Sequence, residues 1–133
     1  MLLVRALYYS QAASRDREAV RSILGAAQRN NPALNLTGVL IHDRGRYLQV
    51  LEGARPVVSA MIARIGDDPR HTGMALADFA EVDRRRFAGF SMAFTDADAD
   101  FHSTRLTDFD AAPADAIYRQ IESYVKKDAR RAA

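Results

Sequence analysis

Two short apolar runs, residues 36–42 and 47–52, are separated only by Asp43-Arg44-Gly45-Arg46. A linker that short, with a glycine able to take a positive backbone angle, closes two strands into an antiparallel β-hairpin. The hairpin constrains the whole chain. Two strands alone are marginal in water, so the segments on either side must extend the sheet and cover it.

Residues 2–9 form an apolar run rich in strand formers, closed by Ser10-Gln11-Ala12-Ala13-Ser14, in which Ser14 can cap a helix. Between residues 15 and 29, Val20, Ile23, Leu24 and Ala27 recur at the spacing of one buried helical face, and Pro32 discourages continuation past Asn30. After the hairpin, Gly53 breaks the strand and Pro56 suits a first helical turn. Val57, Val58, Met61, Ile62 and Ile65 then trace a second helical stripe that ends near Gly66. Residues 74–82 read as a fourth strand and residues 90–94 as a fifth, reached through the basic turn Arg84-Arg85-Arg86-Phe87-Ala88-Gly89.

The order β-α-β-β-α-β-β predicts an α+β fold, a ferredoxin-like β-α-β-β-α-β sandwich with a fifth strand. Right-handed crossovers put both helices on one face. A C-terminal helical extension over residues 113–131 turns Ile117, Ile121, Tyr124 and Val125 to one side. Arg119, Glu122, Lys126 and Lys127 lie on the other. That stripe suits the open face of the sheet, and it equally suits a partner helix or a second subunit.

At 133 residues, 48% hydrophobic and 27% charged, the chain has the size and balance of one soluble globular domain. It contains no cysteine, which excludes disulfides and thiolate metal sites, and its three histidines are scattered. The start, Met1-Leu2-Leu3-Val4-Arg5, turns polar too soon for a signal peptide, so a cytoplasmic protein is expected. The formal charge is only +2, and Asp96-Ala97-Asp98-Ala99-Asp100 interrupts the basic runs, which argues against nucleic-acid and membrane partners. Phosphate-binding and metalloprotease motifs are missing from the sequence, so no enzyme activity is expected.

Against this ordinary background stands one unusual set of polar residues. Tyr8, Asn30, Asn31 and Gln49 fall where apolar strands and a helix end meet. Each has a plain explanation by itself: a core aromatic, a helix-ending turn, a solvated glutamine. Arg64 and Asp68, four apart on the second helix, suit a surface ion pair, and Met92 suits a pliable core filler. Together they have another. A carboxamide offers up to four hydrogen bonds and leaving one buried group unmatched costs about 1–3 kcal/mol, so clustered amides suit a polar, planar guest such as a flavin ring.

The combination resembles the BLUF family, blue-light sensors that use FAD, from residue 3 to about residue 94. The stretches that carry it are Leu7-Tyr8-Tyr9-Ser10, Gln28-Arg29-Asn30-Asn31-Pro32, Leu36-Thr37-Gly38-Val39-Leu40, Gln49-Val50-Leu51-Glu52-Gly53, Asp68-Pro69-Arg70-His71, Arg85-Arg86-Phe87 and Ser91-Met92. The resemblance implies a non-covalent flavin between the two helices, with Ile23 and Ile65 against its faces. Asn31 and Asn30 would hold one edge of the ring, Arg64 and Asp68 the far edge and ribityl chain, and Arg70 and His71 the side towards the phosphates. It implies FAD as cofactor, with FMN or riboflavin as other occupants of the same site.

The resemblance further implies that Tyr8, Gln49 and Met92 form a photochemical switch whose output passes through the fifth strand and the C-terminal helix to a partner protein, in a homo-oligomer. Residues 1–97 would be the flavin-binding domain and residues 98–133 an extension for capping or interaction. Phe90 stands where the family often has tryptophan, and the chain contains no tryptophan, so an indole cannot compete as electron donor. Two other readings of the residues remain: a flavin-free ferredoxin-like interaction module, and an RNA-binding sheet, for which Tyr9 is the one aromatic platform.

Overall fold

The computed structural model describes residues 2–12, 17–43, 45–69, 71–96 and 110–132. Ser14, Arg70, the side chains of Val20 and Lys127, and the expected domain border at residues 97 and 98 lie outside the described residues. The elements run β1 (Leu3–Ala12), α1 (Arg17–Asn30), β2 (Thr37–Asp43), β3 (Arg46–Ala54), α2 (Arg55–Asp67), β4 (His71–Glu81), β5 (Ala93–Asp96) and α3 (Ala114–Ala132).

The hairpin forms as its linker dictates. Gly45 takes φ 73°, a value that costs glycine nothing, and β2 pairs antiparallel with β3 from Thr37 opposite Glu52 to Asp43 opposite Arg46. β3 then becomes the middle of a five-stranded sheet ordered β4-β1-β3-β2-β5. It is buried on both faces along residues 47–53, which explains its apolar run and makes its polar members, Gln49 and Glu52, informative.

Alternation along the strands divides the core in two. Val4, Ala6, Tyr8, Leu40, Leu51 and Met92 pack with Ile23 of α1 and Val58 of α2. Leu7, Val39, Ile41, Leu48 and Val50 face the other way and meet Ile117, Ile121, Tyr124 and Val125 of α3. The C-terminal helix therefore covers its own sheet. Tyr118, absent from the expected stripe, is buried too; its hydroxyl donates to Asp78 Oδ2 at 2.9 Å, while the guanidinium carbons of Arg5 and Arg86 lie 5.4 and 5.0 Å from its ring centre. Proximity to the Asp78 carboxylate and burial both push its phenol well above the ordinary tyrosine range, with burial the larger cause.

Several strand limits differ from expectation: Gly53 does not break β3, which pairs on through Gly53 opposite Val4 to Ala54 opposite Leu3. β1 continues to Ala12 because Gln11 pairs with Arg46 and Ala12 with His71, and the same pairing starts β4 at His71 rather than at residue 74. β5 starts at Ala93 instead of residue 90. Phe90 O accepts from Gly38 N at 3.1 Å and Ser91 O from Asn31 Nδ2 at 2.7 Å, so residues 90–92 cross the sheet end as an anchored loop. Gly38 suits this crowded place, since a Cβ there would lie 2.0 Å from Val50 O.

A buried carboxylate fixes the preceding turn. Glu52, 0% exposed, accepts from Arg5 Nε at 2.8 Å, Thr37 Oγ1 at 3.1 Å, Arg86 N at 2.6 Å and Phe87 N at 2.9 Å. Arg85 closes the other side, donating to Thr37 Oγ1, Glu52 O and Asn35 O at 2.8, 3.0 and 2.8 Å. Removing one partner of such a set leaves the others buried and unmatched. We expect Glu52→Ala to lower unfolding stability by roughly 3–5 kcal/mol in urea titrations, whereas a loss below about 1 kcal/mol would show the network to be dispensable.

Candidate functional site

Between α1 and α2 the sheet floor opens into a cleft of about 170 Å³. On the same measure a single water needs only about 10–15 Å³, so this is space for a ligand and not a packing flaw. Ile23, Ala26 and Ala27 form one apolar wall, Met61 and Ile65 the other, with Leu51 and Gln49 on the floor. Asn30, Asn31, Arg64, Asp68 and His71 form the polar edge. Two apolar walls with polar groups at the rim fit a flat heterocycle that has apolar faces and hydrogen-bonding edges, as a flavin ring does.

The secondary structure explains why these residues converge. Asn31 N still bonds Ala27 O at 2.8 Å as α1 ends, and Leu36 N returns to Asn31 O at 2.9 Å, which turns the chain directly into β2. That turn leaves Asn31 2% exposed beneath the helix end. Pro56 falls in the first turn of α2, where a missing N–H costs nothing, and α2 then runs along the cleft to Asp68.

On the floor, Tyr8 and Gln49 are directly opposed across β1 and β3. Both are almost wholly buried, and the Tyr8 hydroxyl donates to Gln49 Oε1. Burial pushes the Tyr8 phenol well above its ordinary value of 10.0, so it stays protonated and serves as a donor. The Gln49 amide nitrogen has the thioether of Met92 at 4.0 Å, a weak acceptor. Gln49 therefore has a strong partner on its oxygen side and a soft one on its nitrogen side.

Of the residues named from sequence, Ile23, Asn30, Asn31, Gln49, Arg64, Ile65, Asp68 and His71 line this one cleft. Tyr8 and Met92 lie behind Gln49 in the same core cluster, and Arg70 is outside the described residues. His71 is held against the sheet, its Nδ1 2.7 Å from Ser10 Oγ and its ring 4.9 Å from that of Tyr47. Phe90 packs against the α3-side core, on the face opposite Gln49. The sequence places Ala27 and Met61 only in apolar helical stripes and Leu51 only in a motif stretch, and it does not mark Ala26; none of the four is expected at the site. The small side chains of Ala26 and Ala27, one turn beyond Ile23, were the available signal for a helix face kept open.

The fold and the site fit a domain that holds a flat heterocycle, and comparison with known proteins names its family. Residues 3–93 match the family described as BLUF, sensors of blue-light using FAD. The chain belongs to the BLUF family, and it is a flavin-based blue-light sensor.

The chain is 35% identical over 79 residues to photoactivated adenylate cyclase subunit beta of Euglena gracilis, a match covering 59% of this chain and 9% of the cyclase. It is 32% identical over 83 residues to the blue light- and temperature-regulated antirepressor BluF of Escherichia coli, covering 59% of this chain and 21% of that protein. Among solved structures, the dark state of the BLUF protein BlrB superposes with a TM-score of 0.69 at 29% identity, over 71% of this chain and 73% of that one. The photo-activated state of BlsA shares the fold with a TM-score of 0.80 at 21% identity, over 92% and 94%. The chain thus spans about a tenth of the length of the curated cyclases it matches. No described helix is long and apolar enough to cross a membrane.

Asn31 joins the cleft to the loop before β5 through its bond to Ser91 O, and Gln28 Nε2 adds a bond to Met92 O at 3.4 Å. We expect Asn31→Ala to weaken flavin retention, measured by dialysis of the loaded protein. It should also cost about 1 kcal/mol of stability, the worth of one hydrogen bond. Retention equal to wild type would contradict a role for Asn31 at the ring edge.

Proposed function

We propose that the chain works as a hydrogen-bond switch, in which Tyr8 and Gln49 convert absorption by a bound FAD into a displacement of Met92 and β5. The observation that carries this reading is the buried bond from the Tyr8 hydroxyl to Gln49 Oε1 at the base of the cleft. Ile23 and Ile65 would hold the ring faces, Asn30 and Asn31 its polar edge, and Arg64, Asp68, Arg70 and His71 the far edge, the ribityl chain and the phosphates. FMN and riboflavin share the ring and so would share this part of the site.

A bound flavin supplies a strong one-electron oxidant when it absorbs blue light. Tyr8 would give that oxidant an electron and pass its phenolic proton along the existing bond to Gln49 Oε1, while Gln49 would release a proton from Nε2 to the same acceptor, so that the amide relays the proton and stays neutral. Return of the electron and proton to Tyr8 would leave the Gln49 amide turned or tautomerised, with a donor where the dark state has its oxygen. Nothing is consumed. What changes is which atom of Gln49 faces Tyr8, Met92 and the cleft.

The energy available is modest and sufficient. One exchanged buried hydrogen bond is worth about 1–3 kcal/mol, which biases two packings of the protein by roughly 5- to 150-fold. Met92 begins the response because its sulfur contacts the amide that turns, and β5 follows because it is short and held by β2 alone within the described sheet. The domain of residues 1–97 would act through residues 98–133 on a partner protein within a homo-oligomer, without enzymatic activity of its own.

Tyr8→Phe and Gln49→Ala should each keep the yellow cofactor and lose the reversible shift of absorption to longer wavelength under blue light. A wild-type shift in both variants would contradict the switch. A wild-type protein that stays colourless after flavin-replete expression would favour the flavin-free interaction module.

A further inference from the structure

β4 is the outermost strand of the described sheet, and β1 is its one strand neighbour. Along such an edge every second backbone N–H and C=O points away from the sheet, open to another strand. Lysine, arginine and proline, which commonly blunt an edge, are absent from the eleven residues of β4. We propose that β4 pairs antiparallel with β4 of a second copy, about a two-fold axis between Ala77 and Asp78, joining two five-stranded sheets into one. The inference rests on the homo-oligomer in the reading above and gives it an interface.

The register follows from which way each side chain of β4 points. Leu76, Phe79 and Glu81 lie opposite Tyr8, Ala6 and Val4, so they share the cleft side of the sheet, and Met74 packs into the same cluster. Ala75, Asp78 and Ala80 lie opposite Tyr9, Leu7 and Arg5 and share the α3 side. Ala77 is the extra residue of a bulge and has no partner in β1. Because of that bulge, residues 74–81 show the same order of faces read from either end. Laid against a second copy over its whole length, the segment sets Met74 opposite Glu81, Ala75 opposite Ala80 and Leu76 opposite Phe79, each pair on one face. The irregularity that would spoil pairing with a regular strand then sits at the axis, beside its own symmetry mate. A second bulge at Gly73, with φ 58°, ends the usable segment on its other side.

The side chains suit this partner. Leu76 is 53% exposed and Phe79 37%, although both are large and apolar. In the pair, Leu76 of each copy covers Phe79 of the other, an aliphatic-aromatic contact made twice by symmetry that removes apolar surface from water. Ala75 and Ala80 are small enough to let the α3 sides approach. Asp78 is the one charged residue of the segment besides Glu81, and each is engaged within its own copy, Asp78 by the Tyr118 hydroxyl and Glu81 by Arg55. The two Asp78 carboxylates near the axis are the one unfavourable contact.

Sedimentation velocity of the full chain across the micromolar range tests the pairing. Wild type should sediment as a dimer. Two double variants, Leu76→Lys with Phe79→Lys and Leu76→Glu with Phe79→Glu, should keep the circular dichroism of wild type and each lose dimer affinity by roughly tenfold or more. Mixed together they should dimerise again, since each lysine then faces a glutamate of the other chain. The chain has no cysteine, so Ala75→Cys combined with Ala80→Cys should give a disulfide-linked dimer on mild oxidation, with neither single variant linking. Wild-type dimer affinity in both charged variants, or no linked product from the cysteine pair in a dimeric protein, would overturn the β4 interface and leave the homo-oligomer standing. A wild type that stays monomeric would overturn both, and the light response of that monomer would still report separately on the Tyr8 and Gln49 switch.

Discussion

A glutamine side chain sealed inside a sheet must have its polar atoms answered, and the pairing of Gln49 with Tyr8 decides which way it points. The phenol, held protonated by burial, can only donate while it is neutral and opposite an amide oxygen. The amide nitrogen is left with a thioether at 4.0 Å, a partner easily exchanged. On the proposed switch, an amide anchored firmly at one end and loosely at the other would have two usable orientations, and everything downstream would depend on the small difference between them.

For that difference to matter, the surroundings must be stiff where they transmit and soft where they respond. Glu52, three residues along β3 from Gln49, ties the turn of Arg85, Arg86 and Phe87 into the sheet. Arg86 continues from that turn to α3, with Nε 2.8 Å from Glu122 Oε1. At the other end of the same stretch, residues 90–92 are held by bonds from Gly38, Asn31 and Gln28 and by the contact of Gln49 Nε2 with Met92 Sδ. One segment thus has its root beside α3 and its tip beside Gln49.

Much of this was legible in the sequence, for reasons that can be named. The hairpin, both helical stripes and the covering face of α3 follow from periodicity and turn chemistry, and those are properties of short windows. The cleft was legible because polar residues break apolar runs where helix ends and strand centres meet, and because their combination matches a family. The start of β5 was not, since Phe90 and Met92 have strand-like alternation. Only the backbone bonds of residues 90 and 91 to β2 and α1 reveal the loop. Glu52 was hidden for a related reason: a glutamate ending a strand reads as solvated until Arg5 and the Arg86 turn, distant in sequence, are brought to it. Tyr118 likewise needs Asp78 and two arginines from other elements before its burial makes sense.

Because the central claim concerns the orientation of one amide, the most direct measurement observes that amide. Nuclear magnetic resonance of protein carrying ¹⁵N-glutamine, with Gln49 assigned by its loss in Gln49→Ala, can follow the side-chain NH₂ signals in darkness and under blue light. The account predicts that the Gln49 signals shift under illumination and return in the dark, and that in Tyr8→Phe they do not respond. Gln49 signals that stay unchanged while the flavin absorption shifts would contradict it.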